Sequence, residues 1–416
     1  MPDKGQGPIA AKLLDRKRFG EKDGGAVADV RDYLELRGDL TLAERAFNDV
    51  DNLVLSMLAY LDLTGIVPGP GEGTCRLTDA CAEVIGRADG DLAPFVRSLA
   101  TIDERFVFAL GASARLGGAR LRDYVDVRDG ERVMQFAAVT VLLDSGETYV
   151  AFRGTDDTLV GWREDFILSF DVTEAQRAAA AYLERALEAA GEGGRVRVGG
   201  HSKGGNLAAF AAASAPVALS GRIVCAYSND GPGMDRSVMP VSCHEVLADR
   251  YRRIIPAYSV VGRLFSDDAP CTIVRSSASG TLQHDPTTWV VGPAGLAEAE
   301  GPDPACLVLE QAFSAWLARL APADRRLLTD ELFDALAAGG AVRFEDVLAG
   351  PVAAQRVLAA LGGVDPRTRD MMLSLVGELA SASAQATRDA VARGAADAAA
   401  GVVRRVAGRL GAPREP

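Results

Sequence analysis

Gly200-His201-Ser202-Lys203-Gly204 is the stretch of this chain best suited to covalent chemistry. A serine hydroxyl acts as a nucleophile where the backbone presents it clear of its surroundings and a base can take its proton. Glycines two residues before and two after the serine permit this. At a sharp strand-to-helix turn those two positions come so close that only hydrogen fits as side chain. The flanks suit such a turn. Arg195 to Val198 reads as a short strand leading in, and Asn206 to Ala215 as an alanine-rich helix leading out. The amino end of that helix favours negative charge developing beside Ser202.

The base comes from a short list, because the chain has only three histidines. His201 adjoins the serine but points away from it at the turn, which suits packing or hydrogen bonding. His244, in Ser242-Cys243-His244-Glu245, reads as a surface residue at a helix start. His284 sits in a loop after the strand Thr272 to Val274, where a parallel sheet delivers a late histidine to its carboxyl edge. It is the expected base. The acid that orients it is less constrained. Asp230 follows the strand Ile223 to Tyr227 and shares an edge with Ser202. Asp267 and Asp268 precede the Thr272 strand and are rivals, and Asp230-Gly231-Pro232 is also turn chemistry.

An oxyanion needs two backbone N–H donors. One is expected from Lys203. The other is expected from Gly154 or Thr155, in the loop that follows the strand Tyr149 to Phe152. Lys203 is notable in itself. After residue 22 it is the single lysine, among 45 basic residues in all. Its ammonium has three candidate roles: pairing with Asp156, Asp157 or Asp165, attracting an anionic substrate group, or plain exposure at the first turn of a helix. A serine–lysine dyad is disfavoured because neighbours on this turn point apart.

The elements that must position these residues form a clear pattern. From about residue 133, β-branched apolar runs alternate with helical stretches. The strands are Met134 to Leu143, Tyr149 to Phe152, Arg195 to Val198, Ile223 to Tyr227, Arg253 to Tyr258 and Thr272 to Val274, with Trp289 to Val291 as a further candidate. That alternation predicts an α/β class: a mainly parallel, α/β-hydrolase-like sheet with helices on both faces. Residues 1–25 read as a tail, 26–130 as an N-terminal helical region and 131–302 as the core. A C-terminal helical region over 303–381 and an alanine-rich terminal helix over 382–416 follow. Thr41 and Glu44 fit a capping box, and residues 76–128 read as helices.

Composition excludes several classes. The chain has 416 residues, 48% of them hydrophobic, and a net charge of -12. It is too apolar for disorder, and too acidic for a general nucleic-acid binder. No apolar run approaches the ~18 residues that span a bilayer. No signal-like segment opens the sequence, so a cytoplasmic setting is expected, with the six cysteines as free thiols. No metal or cofactor is expected.

These residues carry a resemblance. Phe152-Arg153-Gly154-Thr155, Trp162, Asp165 and the run from Gly200 to Ala208 resemble the lipase class 3 group of α/β-hydrolases. Over roughly residues 30–350 the chain is similar to the Mbeg1-like α/β-hydrolase family, through Leu55 to Leu63, Ser228 to Gly233, Ser259-Val260-Val261-Gly262, Gln283 to Pro286 and Trp289. The resemblance implies a serine hydrolase with Ser202 as nucleophile and His284 as base. In class 3 lipases the acid lies where this chain has Ser259 to Gly262, which holds no carboxylate, and that departure moves the role towards Asp230. Leucine is usual where Lys203 stands.

The resulting expectation is cleavage of a carboxylic, lipid or other acyl ester through an acyl-enzyme on Ser202. The flanking helices would act as a lid. A small-molecule or lipid substrate is the expected partner, with no nucleic acid; the C-terminal helix leaves peripheral membrane contact open. Two alternatives stand beside this. One is a hydrolase-fold protein that binds a partner or an acyl ligand without turnover. The other is an acyltransferase using the same triad.

Overall fold

Eight strands form one sheet in which every strand pairs with its neighbour in sequence. The first four are β1 (Cys75–Arg76), β2 (Arg120–Asp129), β3 (Met134–Leu142) and β4 (Thr148–Phe152), and they pair antiparallel. The last four, β5 (Val196–His201), β6 (Ile223–Asn229), β7 (Tyr251–Pro256) and β8 (Cys271–Val274), continue from β4 in parallel. The computed structural model describes residues 28–98, 100–156, 159–168, 170–265, 269–292, 294–338, 365–366 and 369–370. The helical readings between 344 and 361, and those from 371 onward, lie outside these residues.

Before the parallel strands come helices α1 (Val30–Arg37), α2 (Asp49–Leu58), α3 (Leu77–Ala88) and α4 (Glu104–Ala112). The crossovers hold α5 (Leu159–Ile167), α6 (Glu174–Ala189), α7 (Lys203–Ala213), α8 (Val217–Ser220) and α9 (Cys243–Leu247). Helices α10 (Pro304–Ala318) and α11 (Pro322–Ala338) follow the sheet. The arrangement is an α/β-hydrolase-like fold: a mostly parallel sheet with helices on both faces.

The strand order explains how the two faces are covered. Parallel strands added always on the same side, through right-handed crossovers, send their helices to one face. Along β4 the side chains alternate between faces, as a strand requires. Val150 and Phe152 pack with Ala179, Leu183 and Leu187 of α6 and Leu207 and Ala211 of α7. Tyr149 and Ala151 join the opposite cluster, with Leu53, Val54 and Met57 of α2 and residues of α3 and α4. The N-terminal helices therefore cover the face that the crossovers leave bare. Every residue of α2 from Val50 to Leu58 is buried, its apolar side chains in the core and its polar Asp51, Asn52 and Ser56 in hydrogen bonds. An Asn48–Asp51 capping box starts it.

Three expectations need correction. Residues 120–129 are a strand, not a helix; a bulge between Arg122 and Val125, with Asp123 at φ 54°, interrupts the period-two pattern. Thr41 and Glu44 do exchange capping-box hydrogen bonds, at 3.3 and 2.9 Å, but close a turn rather than open a helix. Trp289 to Val291 makes isolated bridges to Ser276 and Leu296 rather than a strand. The six cysteines are free thiols. Among the described residues no helix is long and apolar enough to cross a membrane, and no three or more His, Cys, Asp or Glu side chains cluster as metal ligands would.

Candidate active site

Ser202 stands between the end of β5 and the start of α7 with φ 57° and ψ -129°. A non-glycine residue in that region costs of order 1–3 kcal/mol and persists only where its surroundings impose it. The imposing contacts are visible. A Cβ on Gly200 would fall 2.3 Å from the Gly204 carbonyl carbon, and one on Gly204 would fall 2.3 Å from the Phe152 oxygen. The Ser202 N–H is held by the Asn229 carbonyl at 2.9 Å. Beneath it lies a buried polar network. Asn229 Nδ2 donates to Gly200 O and Ser56 Oγ, and Asn52 Nδ2 donates to Asn229 Oδ1 at 2.8 Å. Helix α2 is thereby tied to the underside of the turn.

His284 ends a short 3-10 segment, Gly280–His284, in the loop after β8. Its Nε2 is 3.1 Å from Ser202 Oγ, and its Nδ1 is 2.6 Å from Asp230 Oδ2. Asp230 is fully buried at the end of β6, also at positive φ (49°), and Ser202 and His284 are half-buried. The acid is sealed and the hydroxyl remains reachable. The other carboxylate oxygen of Asp230 accepts from Ser259 Oγ and from the Gly262 N–H at 3.2 Å. The stretch Ser259 to Gly262, which lacks a carboxylate, thus supplies donors to the carboxylate of Asp230. Asp267 and Asp268 lie outside the described residues. A hydroxyl, an imidazole and a buried carboxylate in this sequence can move a proton off the hydroxyl and stabilise the imidazolium that results.

The loop after β4 is fixed from both sides. Arg153, buried, makes a two-point ion pair with Asp126 of β2 at 2.7 and 2.8 Å. The Thr155 hydroxyl donates to Asp165 Oδ2 on α5. Burial pushes Asp165 up to about 7, against the pull of Lys203 and Thr155, and its Oδ1 is buried without a partner among the described residues. Lys203 opens α7, where the first N–H groups have no partner inside the helix.

Of the roles expected for the Lys203 side chain, pairing with a carboxylate is the one it takes, with Glu164 as the hydrogen-bonded partner. The lysine is 1% exposed, so it is neither solvated nor placed to attract substrate. Its Nζ donates to Gln135 O, Gln135 Oε1 and Glu164 Oε2, each at 2.9 Å. The partner is Glu164, because α5 packs against β3 and brings that residue over Gln135. Asp157 and the side chain of Trp162 lie outside those described. His244 sits half-buried in α9. His201 is buried and bonded through both ring nitrogens, to Tyr60 and to the main chain of His284. No local pattern marks Glu164 or Tyr60 as belonging to this neighbourhood; both arrive through tertiary packing.

A family profile described as Mbeg1-like matches residues 110–334. Among solved structures, a crystal structure of M37 lipase matches at 17% identity, covering 52% of this chain and 70% of the lipase chain, with a TM-score of 0.34. No curated protein matches the chain.

Proposed function

The chain belongs to the Mbeg1-like family, and on that footing we propose that it is a serine hydrolase that cleaves an acyl ester through an acyl-enzyme on Ser202. One observation carries the reading: the unbroken hydrogen-bond path from Ser202 Oγ through His284 to buried Asp230. Ser202 Oγ attacks the acyl carbonyl carbon as its proton passes to His284 Nε2. Asp230 holds the ring by Nδ1–H and stabilises the imidazolium. The carbonyl oxygen, now negative, takes hydrogen bonds from the main-chain N–H of Lys203 and of Gly154 or Thr155. The C–O bond to the alcohol then breaks, and the leaving oxygen receives the proton from His284. Water, deprotonated by the same ring, attacks the acyl-enzyme and releases the acid.

Two features support the division of roles. The strained backbone of Ser202 is a cost that folding alone does not require. The Arg153–Asp126 pair and the Thr155–Asp165 bond hold the proposed oxyanion loop before substrate arrives, which is what preorganised donors need. The substrate class proposed is a carboxylic ester of a small molecule or lipid.

The test is labelling with a fluorophosphonate probe, followed by a p-nitrophenyl ester panel of increasing chain length. Labelling of wild type and its loss in Ser202→Ala are expected. A folded wild-type protein that takes no label, or equal ester turnover in both proteins, would remove the proposal.

A further inference from the structure

The His284 loop is pinned at three successive residues. The Gln283 carbonyl accepts from Trp289 Nε1 at 2.8 Å, and the Asp285 carboxylate accepts from the Thr101 N–H and hydroxyl at 3.1 and 2.8 Å. Between them, the His284 carbonyl lies 2.8 Å from His201 Nε2. A carbonyl can only accept, so His201 Nε2 carries a proton. Burial and the neighbouring His284 push His201 down to about 3, so the ring is neutral and its Nδ1 is a bare acceptor. That atom is 2.7 Å from the hydroxyl of Tyr60, whose phenol burial keeps protonated. The hydrogen bonds therefore run one way: Tyr60 O–H to His201 Nδ1, then His201 Nε2–H to the His284 carbonyl.

We propose that Tyr60 and His201 act as a tautomer lock, positioning residues that fix the His284 backbone so that its ring spans Ser202 and Asp230. The proposal rests on the hydrolase reading. The two imidazole rings lie 4.7 Å apart between centroids, so a shift of His201 is passed to His284 directly. The tyrosine hydroxyl also touches the proposed oxyanion loop: a Cβ on Gly154 would fall 2.2 Å from it and 2.6 Å from the His201 carbonyl oxygen. One phenol from the turn after α2, outside the family-matched stretch, thus borders both the base and the oxyanion loop. Displacing a reacting group by about 1 Å costs on the order of 100-fold in rate. The opposite tautomer of His201 would turn a lone pair towards the His284 carbonyl and release it.

The chain's three histidines make the lock directly observable by nitrogen NMR of histidine-labelled protein. His201 is expected to stay neutral with its proton on Nε2 between about pH 5 and 8. Tyr60→Phe is expected to shift the Nδ1 resonance. A charged His201 in that range, or a proton on Nδ1, would overturn the lock whether or not the protein is an enzyme. Kinetics tests its purpose. His201→Leu should lower kcat by about 30- to 100-fold with KM within about threefold, while His201→Gln, which can keep a donor near the Nε2 position, should recover most of the loss. If His201→Leu fails to fold, Tyr60→Phe takes its place, with a fall in kcat of about fivefold or more expected. Full activity in a folded His201→Leu protein, or equal loss in the Leu and Gln variants, would sink the positioning role alone. A wild type that takes no fluorophosphonate label would remove the hydrolase reading and this role with it.

Discussion

Replacing Lys203 with methionine tests the charge pair at the first turn of α7. The ammonium is 1% exposed and Glu164 is fully buried. Three bonds of 2.9 Å hold the ammonium, one of them to Glu164 Oε2, which otherwise accepts only the Gln135 N–H at 3.1 Å among the described residues. Glu164 Oε1 already lacks a partner among those residues. Removing the lysine leaves a carboxylate in the interior with one neutral donor. Breaking a buried pair from one side costs about 3–5 kcal/mol, because the remaining charge is uncompensated. At the low end of the usual conversion, about 2 °C per kcal/mol, the melting temperature should fall by about 6–10 °C. The double variant Lys203→Met/Glu164→Gln removes both charges and should regain most of the loss. Added salt should change the difference little, since a sealed pair is poorly screened. Thermal and urea unfolding at pH 7 measure all three quantities. A loss below about 1 kcal/mol in the single variant, or a double variant no better than the single, would refute the reasoning from an uncompensated buried charge.

Asp230→Asn should leave the fold intact and lower ester turnover by about 10³- to 10⁴-fold, since the amide no longer enforces the needed ring tautomer; a loss below about tenfold would point to another carboxylate. His201 binds its proton more weakly in the folded than in the unfolded chain, so wild-type stability should fall as pH drops below about 6.5. Between pH 7 and 5 that term is about 2 kcal/mol, and urea midpoints of His201→Gln should lack it; parallel pH curves would contradict it. Asp165 has the opposite sign. Its carboxyl is raised to about 7, above the unfolded value, so its contribution is present in acid and lost as pH rises through 7. Asp165→Asn should therefore gain stability relative to wild type at pH 8 and not at pH 4, and an equal difference at both would argue against the buried carboxyl.

The turn around Ser202 was legible in the sequence because its constraints are local. Two backbone contacts exclude any side chain at Gly200 and Gly204, and a strand and a helix flank them. His284 was legible through scarcity, as one of three histidines and the one that follows the right strand. The carboxylate was only partly legible: the lack of an acid from Ser259 to Gly262 favoured Asp230, but among 57 acidic residues Asp267 and Asp268 stayed as rivals. The geometry that distinguishes Asp230, a side chain under the His284 ring cradled by Ser259 and Gly262, joins residues from three separate segments. Strand β2 was misread because a bulge hides its alternation. The partner of Lys203 and the contact of Tyr60 with His201 depend on how α5 and α2 dock on the sheet. No pattern within a window of sequence encodes that docking.

The bond between Asn52 and Asn229 spans 177 residues, and that between Thr101 and Asp285 spans 184. During synthesis, α2 leaves the ribosome long before β5, β6 and β7, the strands that will shelter it. A helix that the finished fold buries from Val50 to Leu58 must wait, unpaired, while that length of chain is made. Contacts of such sequence separation form late and slowly. Until the sheet is complete the apolar residues of α2 are uncovered, so the yield of the nascent protein should be limited by aggregation at that stage.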